Sequence, residues 1–114
     1  MNDAASTQDL WKVLVRARID QAPQTLAAAQ DAVFRRYLPI ARTLANNQAS
    51  GRRPIDLVDA ERAAELGLAQ AVLGWRQPDS DGFEFFARAA ITSRLHRLPA
   101  AGTGASRARP SPDV

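Results

Sequence analysis

Few side chains in this 114-residue chain are of types that do chemistry, and their spacing limits what they could do. Glu61 and Glu65 stand at i and i+4, which puts two carboxylates on one helix face. Such a pair could hold a metal ion or work as an acid and a base. No histidine lies near them, and a solvated helix face carries the same pattern. His96 is the single histidine, so a multi-histidine metal centre is excluded, and its own helix offers no obvious acidic partner. The chain has no cysteine, hence no thiolate nucleophile, thiolate metal site or disulfide framework. Ser80, Ser93 and Ser106 sit in no nucleophile motif, and no glycine-rich phosphate loop is present. The expectation is a protein that is not an enzyme, with no catalytic residue, metal or cofactor.

Charge is distributed unevenly. The net charge of +3 divides into +2 over residues 1–50, −2 over 51–82 and +3 over 83–114. All but one of the fifteen cationic residues are Arg, which suits bidentate contact with phosphate or carboxylate. A GC-rich genome would give the same bias, so the balance permits nucleic-acid contact without demanding it. Arg52, Arg53, Arg107 and Arg109 read as solvated loop and tail charges that could reach phosphate. No apolar run is long enough to span a bilayer, and Met1-Asn2-Asp3 lacks the start of a secretory signal. A cytoplasmic location is expected, with no membrane partner.

The elements that must position these residues are helices. Hydrophobic residues make up 46% of the chain, enough for one small core. Thr7 can cap a first helix over about Gln8 to Asp20, whose apolar residues are Leu10, Trp11, Val13, Leu14, Val15 and Ile19. Packing is the ordinary role for Trp11. Pro23 can open a long segment over about Gln24 to Gln48, buried through Val33, Phe34, Tyr37, Leu38, Ala41, Leu44 and Ala45. Pro39 lies inside it and should kink or divide it. A central helix runs from near Ile55 or Asp56 to Trp75, capped by Asp56 or Asp59, with Leu68, Ala71, Val72 and Trp75 on one face. Gly67 sits mid-helix at a cost of about 1 kcal/mol against Ala, so a neighbouring backbone should approach it closely. Gly74 to Gly82 is rich in helix breakers. A fourth helix from about Asp81 or Phe83 to Leu98 stops at Pro99, and places His96 near its C-terminus as a surface histidine. Ala100 to Val114 has the composition of a disordered tail. The fold class is all-α, a compact bundle of about four helices, divided as an N-terminal helix (1–22), a helical domain (23–99) and the tail (100–114).

Three stretches, in order, carry a likeness. Val33-Phe-Arg-Arg-Tyr-Leu-Pro-Ile-Ala-Arg-Thr-Leu-Ala45 joins a basic amphipathic helix through Leu-Pro to an Arg-containing one. Gly67-Leu68, Ala71-Val72 and Trp75 follow, with Pro78-Asp79 after them. The third is Phe83-Glu-Phe-Phe-Ala-Arg-Ala-Ala-Ile91. Together they resemble the second conserved region of sigma-70-type RNA polymerase sigma factors over roughly residues 30 to 98. The second stretch is similar to that family's Gly-Leu-x-x-Ala-Val-x-x-Phe core, and the third to its Phe-x-x-Tyr-Ala-x-x-x-Ile stretch.

The resemblance implies a partner and a site. The central helix would dock on the clamp helices of the largest subunit of RNA polymerase through Arg62, Ala63 and Glu65, with Ala69, Gln70 and Leu73 beside them. The family usually has Gln-Glu where this chain has Arg62-Ala63. Phe83, Phe86, Ile91 and Leu95 would pack on the central helix, with Gly67 admitting the Leu-Pro helix. The fourth helix would face promoter minus-ten DNA with Phe85, Arg88, Thr92, Arg94 and Arg97, aromatics stacking on flipped bases and Arg on the backbone. Ala89 and Ala90 replace the aromatic or Arg pair of family members, so the residues present do not support melting.

The implied function is a sigma-like protein of transcription initiation or its regulation. It could be one subunit of a split sigma factor whose helix-turn-helix partner is a separate chain. It could equally be a non-melting regulator that binds polymerase or an anti-sigma protein, or a degenerate remnant with another partner. An unrelated small helical module, dimerising through the Leu10–Ile19 helix, is the alternative from a different class.

Overall fold

The computed structural model describes residues 3–77 and 81–100, with side chains described from Thr7 onward. Four helices follow one another, α1 (Asp3–Ile19), α2 (Pro23–Ala49), α3 (Leu57–Gly74) and α4 (Phe83–His96), and no strand occurs among the described residues. The all-α expectation holds. The Pro78-Asp79 turn and the tail beyond Ala100 lie outside the described residues.

α1 starts at Asp3, earlier than Thr7 would have set it, because the Ala4-Ala5 stretch favours helix. Thr7 therefore lies inside α1, where its Oγ1 accepts a 2.8 Å hydrogen bond from Arg36 Nε of α2. The C-terminus of α1 closes as a Schellman turn: Gln21 takes φ 53°, and the Ala22 and Gln21 N–H groups donate to the Ala17 and Arg18 carbonyls. Among the described side chains of α1, Trp11, Leu14 and Ala17 are the fully buried ones. Val13 and Ile19 are exposed, because the apolar residues of α1 spread over more of its circumference than contact with α2 can cover.

α2 opens on Pro23 and continues undivided through Pro39. Pro39 is exposed, and its ring leaves the Arg35 carbonyl without the backbone donor it would have had. Ser50 ends the helix, with both its N–H and its Oγ donating to the Asn46 carbonyl. α3 begins where Asp56 accepts a 3.0 Å bond from the Asp59 N–H, an N-cap that fixes its register. Its last helical residue is Gly74, and Trp75 leaves in extended conformation, half-buried. Gly82 turns the chain into α4 at φ 83°, a left-handed conformation that glycine adopts without strain.

Small residues set the spacing of the bundle. Ala41 and Ala45 of α2, Ala60, Ala64, Gly67 and Ala71 of α3 and Ala87 of α4 are all buried. The closest approach is at Gly67, where an added Cβ would stand 2.9 Å from Ile91 Cα and 3.1 Å from the Ala90 carbonyl oxygen. The glycine therefore admits α4 and not the Leu-Pro helix α2, as had been expected. Phe83 joins the elements, lying edge-on to Trp11 of α1 and Tyr37 of α2 (both 4.9 Å between centroids) and to Trp75 after α3 (5.7 Å). Trp11 and Leu14 belong to the same buried cluster as residues of the other three helices, so α1 shares their core.

Candidate docking surface

With its small residues turned inward, α3 presents the opposite face to solvent. Val58, Arg62, Leu66, Ala69 and Leu73 recur at intervals of four, four, three and four, which lays them in one stripe along the helix. Val58, Leu66 and Leu73 are 55%, 49% and 54% exposed, unusual for three large apolar residues on one short helix. Arg62, central in the stripe, is exposed and has no carboxylate within ion-pair distance among the described residues.

A shallow groove borders each end of the stripe. One, of about 330 Å³, is lined by Asp59, Arg62, Ala63 and Leu66 with Leu98 and Pro99 after α4. The other, of about 290 Å³, lies between α2 and α3 and is lined by Gln30, Asp31, Phe34, Ala69, Val72 and Leu73. Both walls are mostly apolar, which suits a partner's aliphatic side chains better than a charged ligand.

Of the residues the sequence assigned to clamp binding, Arg62, Ala69 and Leu73 fall on the stripe. Glu65 is half-buried at its margin. Gln70 turns away from it, its Oε1 accepting a 3.0 Å bond from Arg94 Nε of α4. Leu66 and Val58 were missed, although their spacing from Arg62, Ala69 and Leu73 was legible. Attention to the inward face, where Leu68 and Val72 lie, hid the second apolar stripe behind it.

The α4 candidates divide. Phe85, Arg88 and Thr92, at i, i+3 and i+7, share the outward face, and Phe85 is 79% exposed. Arg88 Nε is held at 3.0 Å by Glu84 one turn before it. Arg94 belongs to the flank facing α3 through its bond to Gln70, and Arg97 is the exposed C-cap residue. Phe86, expected against the central helix, is partly exposed and stacks on Trp75 at 5.1 Å. The outward face of α4 therefore has one free aromatic ring and one Arg engaged within its own helix. His96 is exposed at the helix end, and Arg52 and Arg53 are exposed in the loop before α3.

Arg18 is the most constrained cation. Its Nη1 donates to the Trp75 carbonyl at 3.1 Å, tying the end of α1 to the end of α3, while Nη2 is buried with no partner among the described residues. Burial, with the charge of Arg76 nearby, pulls this guanidinium below its ordinary pKa. Among the described residues no group of three His, Asp or Glu side chains could hold a metal ion, and no helix is long and apolar enough to cross a membrane. Comparison of the chain with protein-family models, with curated proteins and with solved structures gave no match.

Proposed function

We propose that the chain is a helix-docking, sigma-like transcription protein whose α3 outer face seats on the clamp helices of the RNA polymerase core. One observation carries the proposal: the solvent-facing stripe Val58–Arg62–Leu66–Ala69–Leu73, two half-exposed leucines spaced to meet a partner helix. The sequence resemblance supplies the identity of that partner, since it puts the clamp contacts on this same helix. Promoter minus-ten DNA is the secondary contact, offered to Phe85, Arg88 and Thr92 on α4.

Co-purification with core polymerase tests the proposal. Wild-type protein should be retained, and the double reversal Arg62→Glu with Glu65→Arg should be lost while its helical circular dichroism is unchanged. Retention of the reversed protein at wild-type level would remove α3 from the interaction. A regulator that occupies polymerase without melting DNA is favoured over a melting factor by the outward face of α4, where Phe85 is the one free aromatic and Ala89 is its neighbour. Permanganate footprinting of promoter DNA in the presence of core polymerase separates the two, the regulator giving no reactive thymines.

A further inference from the structure

We propose that, in the free protein, α3 pairs antiparallel with α3 of a second copy of this chain, so that each copy covers the docking stripe of the other. The proposal uses the exposed stripe but needs no polymerase, and it rests on spacing, size and charge. Arg62, Leu66, Ala69 and Leu73 follow at four, three and four residues, the alternation that lets two helices interlock along a seam. About a twofold axis midway between Leu66 and Ala69, Leu66 of one copy meets Ala69 of the other, and Leu73 meets the aliphatic stem of Arg62. Each layer then sets a large side chain against a small one, or a leucine against methylenes. Parallel pairing would instead oppose Arg62 to Arg62 and leave a void between two Ala69 residues.

Charge selects the same direction. Asp56, Asp59, Glu61 and Glu65 gather toward the N-terminal end of α3, no acid follows Glu65 in the helix, and Arg76 is exposed just past the C-terminal end. Antiparallel pairing lays the acidic end of one helix beside the Arg76 end of the other and opposes the helix dipoles. Parallel pairing would set four carboxylates beside four. One helix pair covers less than the roughly 800 Å² per partner typical of stable dimers. The association is therefore weak and reversible, and a partner offering a longer seam displaces it.

The absence of cysteine makes the test direct. Leu66→Cys and Ala69→Cys proteins, prepared separately, mixed and oxidised, should give the 66–69 cross-linked pair in excess over both same-residue pairs. Dominance of 66–66 and 69–69 products would mean parallel pairing and overturn the proposal. Sedimentation equilibrium of wild-type protein should show monomer and dimer in exchange. Leu66→Glu should abolish the dimer with its thermal midpoint unchanged, and Thr43→Glu on α2 should retain it. A strict monomer across the concentration range, or a dimer that survives Leu66→Glu, refutes the pairing. Because no polymerase is present, failure here leaves the polymerase docking intact, and failure of that docking leaves this dimer intact.

Discussion

Replacing Gly67 with Ala sets two effects of opposite sign against each other. Gly at a helix interior costs about 1 kcal/mol relative to Ala, so in an isolated α3 the substitution stabilises. In the folded chain the new methyl would lie 2.9 Å from Ile91 Cα, 3.1 Å from Ile91 N and 3.1 Å from the Ala90 carbonyl oxygen. All three are backbone atoms of α4, so no side-chain rotation relieves the clash and α4 must move outward by about half an ångström or more. A gap of that size forfeits a quarter to a half of each dispersion contact it opens, and overpacking of this kind costs about 1–3 kcal/mol. With backbone on the receiving side the upper value applies, and Gly67→Ala should destabilise by a net of about 2 kcal/mol. For a domain of this size that lowers the thermal midpoint by roughly 8–16 °C. Urea and thermal unfolding followed by circular dichroism read it directly. Trimming Ile91 to Val in the same protein should not restore stability, because the obstruction is main chain. A gain of about 1 kcal/mol on Gly67→Ala would show that helix propensity wins and that α3 and α4 do not approach as described.

Phe83→Ala should cost about 3–5 kcal/mol, since its ring contacts Trp11, Tyr37 and Trp75 at once, whereas Phe85→Ala, two residues on and largely exposed, should stay within about 0.5 kcal/mol in urea melts; equal losses would contradict the assignment of one ring to the core and the other to solvent. Asp56→Ala removes the cap on the Asp59 N–H and should lower stability by about 1 kcal/mol, with Asp56→Ser recovering most of it in the same assay. Gln21 occupies a left-handed conformation at φ 53°, so Gln21→Gly should stabilise by about 0.5 kcal/mol once the larger unfolded-state entropy of glycine is subtracted; a loss of stability would argue against the Schellman turn.

Much of the fold was legible because helix signals are local. Pro23 at a helix start, Asp56 as an N-cap, Gly82 before Phe83 and the breakers on either side of α3 act within a turn of themselves, and the element order follows from them. Two features depend on packing rather than on local sequence. Of the kink or division expected at Pro39, division does not occur, and no residue nearby in sequence reports that α2 runs on through it. Gly67 was matched to the wrong neighbour, because a glycine shows that something comes close without showing which helix does.

The candidate surface was half visible. Arg62, Ala69 and Leu73 were named from sequence, but Leu66 and Val58 read as ordinary apolar residues of a core helix until the burial of Ala60, Ala64, Gly67 and Ala71 assigned the core to the other side. Gln70 and Arg94 were assigned to different partners, and the fold joins them to each other at 3.0 Å across 24 residues of chain. By itself, then, the sequence determined the number and order of the helices, that no thiol or multi-histidine chemistry is possible, and that α3 is dense in small and apolar residues. Tertiary structure alone decided which helix comes against Gly67, and showed that Val58, Leu66 and Leu73 form a second apolar stripe facing solvent behind the core face of Leu68 and Val72. The physical reason is that a helix buries whichever face its neighbours can approach most closely, and on α3 that is the face with Gly67 and the alanines.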